Sequence, residues 1–136
     1  MHAAITMHVA AAPADLDTFA RALRGTLVRP GDEAFGAVSG VWSLDNQGTP
    51  LAIVQAADAG DVATSIGFAR RNDIEIAVRS GGHSLAGHST GDGVLVIDMR
   101  GMRGLHVDLG KGIAWAGAGL TAGEVTEALA EHGMAV

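Results

Sequence analysis

The chain has 136 residues, 48% hydrophobic and 18% charged, enough apolar material for the core of one domain. Its 15 acidic residues outnumber 9 basic ones for a net charge of −6, and Lys111 is the sole lysine, which argues against a nucleic-acid groove as partner. The absence of cysteine excludes disulfides, thiolate metal ligands and cysteine nucleophiles within these residues, and no apolar run approaches the roughly 20 residues of a membrane-spanning helix.

Met1 to Ala14 is apolar and alanine-rich but lacks the basic start of a signal peptide, so a cytoplasmic location is the default expectation. Leu16, Phe19, Ala20, Leu23 and Leu27 recur at helical spacing behind Pro13, predicting an amphipathic helix over 13–26 that Arg29-Pro30-Gly31-Asp32 breaks. Residues 31–49 show no period. Turn formers from Leu44 to Pro50 place a boundary between an N-terminal helical and irregular segment, 1–46, and a second unit, 47–136. A short strand follows at 51–55, then a helix over 60–71 capped by Asp58, with Val62, Ile66 and Ala69 on one face.

Ile74, Ile76 and Val78 alternate with Glu75 and Ala77 as a half-buried strand, and 94–98 reads as another. Residues 105–108 and 113–116 form a hairpin around Leu109-Gly110-Lys111-Gly112. Thr121 and Glu124 make a capping box for a helix that runs to His132 and stops at Gly133. Met134 to Val136 starts a further apolar run, which predicts that the chain is the front part of a longer protein.

Between the two alternating strands lies Arg79-Ser80-Gly81-Gly82-His83-Ser84-Leu85-Ala86-Gly87-His88-Ser89-Thr90-Gly91-Asp92-Gly93. Eleven of the 20 glycines fall between Gly81 and Gly119. Glycines let main-chain N–H groups approach a ligand closely, and the serines add hydroxyls, so the loop can hold a diphosphate without lysine. Its bland alternative is a long surface loop, although loops of this length in compact domains usually serve a purpose. Arg79 at a strand end fits either a phosphate or a local carboxylate such as Asp98. Gly117-Ala118-Gly119, between a strand and a helix, is a weak dinucleotide-type turn whose third glycine comes one place late.

These pieces together resemble the flavoprotein oxidases with a vanillyl-alcohol-oxidase-type, or PCMH-type, FAD-binding domain, in their berberine-bridge-enzyme-like branch. The resemblance rests on Arg79 to Ser84, Gly87-His88-Ser89, Asp92-Gly93, Val96-Ile97-Asp98-Met99, Met102, Val107-Asp108 and Gly117-Ala118-Gly119, with Pro50 to Gln55 and Asp61-Val62 before them. It implies an α+β fold, the first part of a PCMH-type domain with small mixed sheets flanked by helices. It also implies FAD held by Arg79, Ser80, Gly81, Gly82, His83, Ser84, Gly87, His88, Ser89, Asp98, Gly117 and Gly119, with the flavin 8α-methyl carbon bonded to His83. The implied reaction is oxidation of a CH–OH or CH–NH group of a small organic substrate, with molecular oxygen taking the electrons. In the branch a second, cysteinyl flavin anchor and a tyrosine or similar base come from segments past the position of Val136, so neither is decided by this sequence, which has neither Cys nor Tyr. Two rivals stay open: a non-catalytic flavin- or nucleotide-binding module or incomplete fragment, and a metal site built from His83, His88, Asp92 and Asp98.

Overall fold

The computed structural model describes residues 13–42 and 48–135. Helix α1 (Pro13–Arg21) opens the described chain, followed by strand β1 (Thr26–Val28) and a short helix α2 (Phe35–Ser39). Then come β2 (Ala52–Gln55), α3 (Ala59–Arg71), β3 (Ile76–Arg79), β4 (Leu95–Asp98), the hairpin β5 (Leu105–Asp108) and β6 (Ile113–Ala116), and α4 (Ala122–Ala130). The α+β class expected from the sequence holds.

The main sheet has the order β1-β2-β4-β3 and is mixed. β2, β4 and β3 are parallel, with Ala52 and Ile76 both opposite Leu95 and Gln55 and Arg79 both opposite Asp98; β1 joins antiparallel, Leu27 opposite Val54. Side chains alternate across it with the period of two that a strand imposes. Ala52, Val54, Leu95 and Ile97 pack with Leu16, Phe19, Phe68 and Ala69 beneath α1 and α3, whereas Ile53, Ala77, Val94 and Val96 pack on the other face with Phe35 and Val38 of α2. β4, covered on both sides, is buried along its whole length, the usual state of a central parallel strand.

The first helix is shorter than its periodicity predicts. The Asp61 carboxylate accepts the N–H groups of Arg24 (2.8 Å) and Gly25 (2.9 Å), and any Cβ at Gly25 would lie 2.0 Å from the Gln55 carbonyl oxygen. The backbone therefore leaves the helix after Arg21, and Leu27 reaches the core from a strand instead. β1 and α2 were not legible beforehand. The expected boundary at 46/47 falls among residues 43–47, outside the described residues; α1 and β1 before it share sheet and core with β2 and α3 after it.

Two faces also differ from expectation. α3 turns Asp61, Ser65, Phe68 and Ala69 inward and leaves Ile66 40% exposed, because Phe68 stacks on Phe19 (centroids 4.1 Å apart) and the polar pair is satisfied internally, Ser65 Oγ donating to the Asp61 carbonyl at 2.7 Å. On β3 the buried residues are Ala77 and Arg79, while Val78 is exposed; β3 is the sheet edge, and α3 packs over β4.

The parallel pairing of β3 with β4 explains the length of the glycine loop. Parallel neighbours need a crossover that returns the chain to the starting end of the sheet, and here residues 80–94 make that return without a helix. One end of the loop sits beside the C-terminal ends of the strands. The other lies against residues 49–51, where Gly93 N–H donates to Thr49 O and Leu51 N–H to Val94 O, both at 2.9 Å.

Candidate active-site cleft

Arg79 and Asp98 end adjacent strands at the same register position, and their side chains meet. Arg79 Nη2 donates to Asp98 Oδ2 at 2.8 Å, with both side chains 1% exposed. The same guanidinium donates to the carbonyls of Val38, Ser39 and Gly40, the open C-terminal end of α2. Arg79 is thus an internal clamp, and of the two roles the sequence left open, the structure gives it the carboxylate. Asp98 also accepts from the Arg100 backbone N–H (3.0 Å), Arg100 Nε (3.0 Å) and Arg100 Nη2 (2.6 Å). Burial pushes its carboxyl pKa up, but the bonds from Arg100 and Arg79 outweigh that and hold it below the ordinary carboxylate value. Arg79 and Asp98, both expected at the cofactor, have their side chains buried against each other.

Above this pair the chain turns. Gly82 has φ +70°, a left-handed conformation that suits glycine, and its carbonyl accepts the Trp42 N–H at 3.1 Å. Gly82 is buried, and a Cβ there would meet Val41 Cα and the Arg79 stem at 3.5 to 3.8 Å. Gly81, its neighbour, is exposed. The His83 imidazole is exposed too, with the Trp42 ring 6.4 Å away and tilted by 46°.

Across from the turn lies the start of α4. Gly117 N–H donates to Gly104 O (2.7 Å) and Gly119 N–H to Met102 O (2.9 Å), fastening this segment to the 99–104 turn. Both glycines are needed for that contact, since a Cβ at 117 would lie 2.2 Å from Met102 O and one at 119 2.5 Å from Arg100 O. Ser80 Oγ donates to the Ala118 carbonyl and joins the two walls. Between them is a cleft of about 420 Å³ lined by Ser80, Gly81, His83, Arg100, Arg103, Gly119, Leu120, Thr121 and Ala122.

Four expected residues, Ser80, Gly81, His83 and Gly119, therefore come together. Ser84, Gly87, His88 and Ser89 do not line the cleft: they form the returning limb, where Ser84 Oγ accepts the His88 N–H (3.2 Å) and Gly87, at φ +78°, donates to Ser84 O (3.3 Å). Gly117 does not line the cleft. Arg100 and Arg103 were missed; their only signal is the repeated Arg-Gly of Arg100-Gly101-Met102-Arg103-Gly104 directly after a strand. The metal alternative finds no support in the geometry, since among the described residues no three His, Asp or Glu groups converge and Asp98 is held by two arginines.

Residues 50–136 match the family model described as FAD binding domain. The chain belongs to this family. It is 36% identical over 113 residues to (R)-6-hydroxynicotine oxidase of Paenarthrobacter nicotinovorans, covering 83% of this chain and 25% of that protein. It is 38% identical over 86 residues to berberine bridge enzyme-like 3 of Arabidopsis thaliana, covering 62% and 16%. The solved structure of 6-hydroxy-D-nicotine oxidase from Arthrobacter nicotinovorans superposes with a TM-score of 0.80 over 83% of this chain and 25% of that one, at 36% identity. Physcomitrella patens BBE-like 1 gives 0.80 over 87% and 26%, at 26% identity. The chain spans about a quarter or less of these relatives' lengths. The expected likeness to flavoprotein oxidases and berberine bridge enzyme-like proteins is what the comparisons find.

The cleft of this FAD-binding domain suits a phosphate-bearing cofactor. An exposed glycine backbone, the first turn of a helix and two half-exposed guanidinium groups face one another, with Leu120 and Ala122 as apolar wall.

Proposed function

We propose that this FAD-binding domain serves a flavin-dependent oxidoreductase that oxidises a CH–OH or CH–NH group of a small organic molecule and returns the electrons to molecular oxygen. The observation that carries the reading is the placement of His83: its imidazole is exposed in the cleft, on the turn whose Gly81 backbone faces the start of α4. The exposed Gly81 backbone and the first turn of α4 at Ala122 would face the cofactor's diphosphate end, with Ser80, Gly119 and Thr121, whose own donors are bonded to Ala118 O, Met102 O and Glu124, shaping the wall, and the bound flavin would supply the redox chemistry.

In this reading His83 is bonded through a ring nitrogen to the flavin 8α-methyl carbon. Forming that bond removes one hydrogen from the methyl group and one from the imidazole, and their two electrons pass through the flavin to an oxidant such as oxygen. Imidazole is a competent nucleophile near neutral pH when a lone pair is free. The cleft lining holds one histidine, His83, and no carboxylate, so a bonded His83 leaves the substrate's proton to a group elsewhere in the protein.

The test is acid denaturation of the full-length protein. The precipitate is expected to keep a yellow chromophore, and His83→Ala to release all of it to the supernatant. Colour that leaves with the small molecules in both forms overturns the covalent bond, and failure of the native protein to retain FAD at all overturns the wider reading.

A further inference from the structure

Once Arg79 is assigned to the interior, the cleft's positive charge needs another source. We infer that Arg100 is the side chain that meets the negative charge of the cofactor diphosphate, an inference that rests on the FAD reading of the cleft.

Asp98 carries one negative charge and is shared by two guanidinium groups, Arg79 at 2.8 Å and Arg100 at 2.6 Å. The triad is therefore net positive by one charge. Arg79 and Asp98 are each 1% exposed, whereas the Arg100 side chain is 45% exposed and lines the cleft, so the surplus charge emerges there. Arg103 differs. Its guanidinium pairs with the Glu124 carboxylate and donates to Gly119 O at 3.1 Å, a neutral arrangement that positions α4. In a chain of net charge −6 a local surplus of one positive charge opposes the overall field, which is what an anionic ligand requires to enter. Asp98 thus has two functions: it fixes the buried clamp, and it holds Arg100 at the cleft through Nε and Nη2, the latter also donating to Val38 O at 3.4 Å.

The test uses full-length protein carrying His83→Ala, so that FAD binds reversibly, and follows its Kd from about 20 to about 300 mM salt, a range over which screening shortens from roughly 20 to 6 Å. Arg100→Gln is expected to weaken binding about tenfold at low salt and to flatten the salt dependence. Arg100→Lys, which keeps the charge but loses the fork, should restore the salt dependence with only part of the affinity. Arg71→Gln, in the last turn of α3 and outside the cleft lining, should leave the dependence in place. Unchanged affinity in Arg100→Gln, or weaker binding with an unchanged salt dependence, overturns the inference. Arg100→Met serves as a second neutral variant that keeps much of the aliphatic stem; if thermal melts show both neutral variants unfolded, the role of Arg100 is to neutralise Asp98 and the inference is again overturned. If the His83→Ala parent binds no FAD, the reading of the cleft itself fails, and this inference falls with it by a separate route.

Discussion

At the scale of single residues, two buried carboxylates do the joining. Asp61, 2% exposed, accepts N–H groups from Arg24, Gly25 and Ala57 at 2.8 to 2.9 Å, tying the end of α1 to the start of α3; Asp98 does the same for Arg79 and Arg100. For Asp61 burial pushes the pKa up, and the hydrogen bonds from Ala57, Arg24 and Gly25 bring it below the ordinary value. A carboxyl whose folded pKa is depressed contributes stability above its unfolded pKa, near 4, and loses that contribution as the pH falls through the folded value. Asp61→Asn is therefore expected to cost about 2 kcal/mol at pH 7, the cost of backbone donors left short of an acceptor. The difference from the native chain should shrink as the pH drops below about 4, as denaturant titrations across pH would show. An equal difference at pH 7 and pH 2 would contradict it. Both aspartates were visible as family-matching residues, and Asp98 as a possible partner of Arg79; the bonds of Asp61 to Arg24 and Gly25 were not, because those residues lie 37 and 36 positions away along the chain.

At the scale of elements, the sequence was most legible where the determining bonds are local. The α4 capping box predicted from Thr121 and Glu124 is present, with Glu124 N–H donating to Thr121 Oγ1 (3.3 Å) and Thr121 N–H to Glu124 Oε2 (2.9 Å). Those bonds and the one from Arg103 hold the Glu124 carboxyl at a pKa of about 2, so the box stays ionised through the acid range. Thr121→Ala should cost about 1 kcal/mol in a thermal or chemical melt, and a neutral result would mean that packing alone fixes this helix. The β5–β6 hairpin also falls where its loop length and glycines put it. α4 ends at Ala130 rather than His132, and Gly133 at φ +68° closes it, with Met134 N–H donating to Leu129 O at 3.0 Å. β1 and α2 escaped notice because three and five residues carry too little periodicity to register.

At the scale of the whole molecule, α1 and β1 are built into the same sheet and core as the strands that end at the cleft. Phe19 lies parallel to Phe68 with centroids 4.1 Å apart, joining α1 to α3. Phe19→Ala should cost about 3 to 5 kcal/mol and shift one cooperative transition rather than split it; two separate transitions would show that the segment before residue 43 folds on its own. The amino-acid order by itself determined the class of the fold, the strands and helices whose caps and turns are local, the family, and the turn that carries His83, because each of these is encoded within a few neighbouring residues or in a motif of fixed spacing. Only the tertiary structure decided which glycine of that turn is open and which is packed, why the loop is long, and that Arg79 is enclosed while Arg100 reaches the cleft. Parallel pairing of β3 with β4 puts Arg79 beside Asp98 and under α2, and the burial that follows, a property of the packed layers and not of any short stretch of chain, fixes which charge is left facing outward.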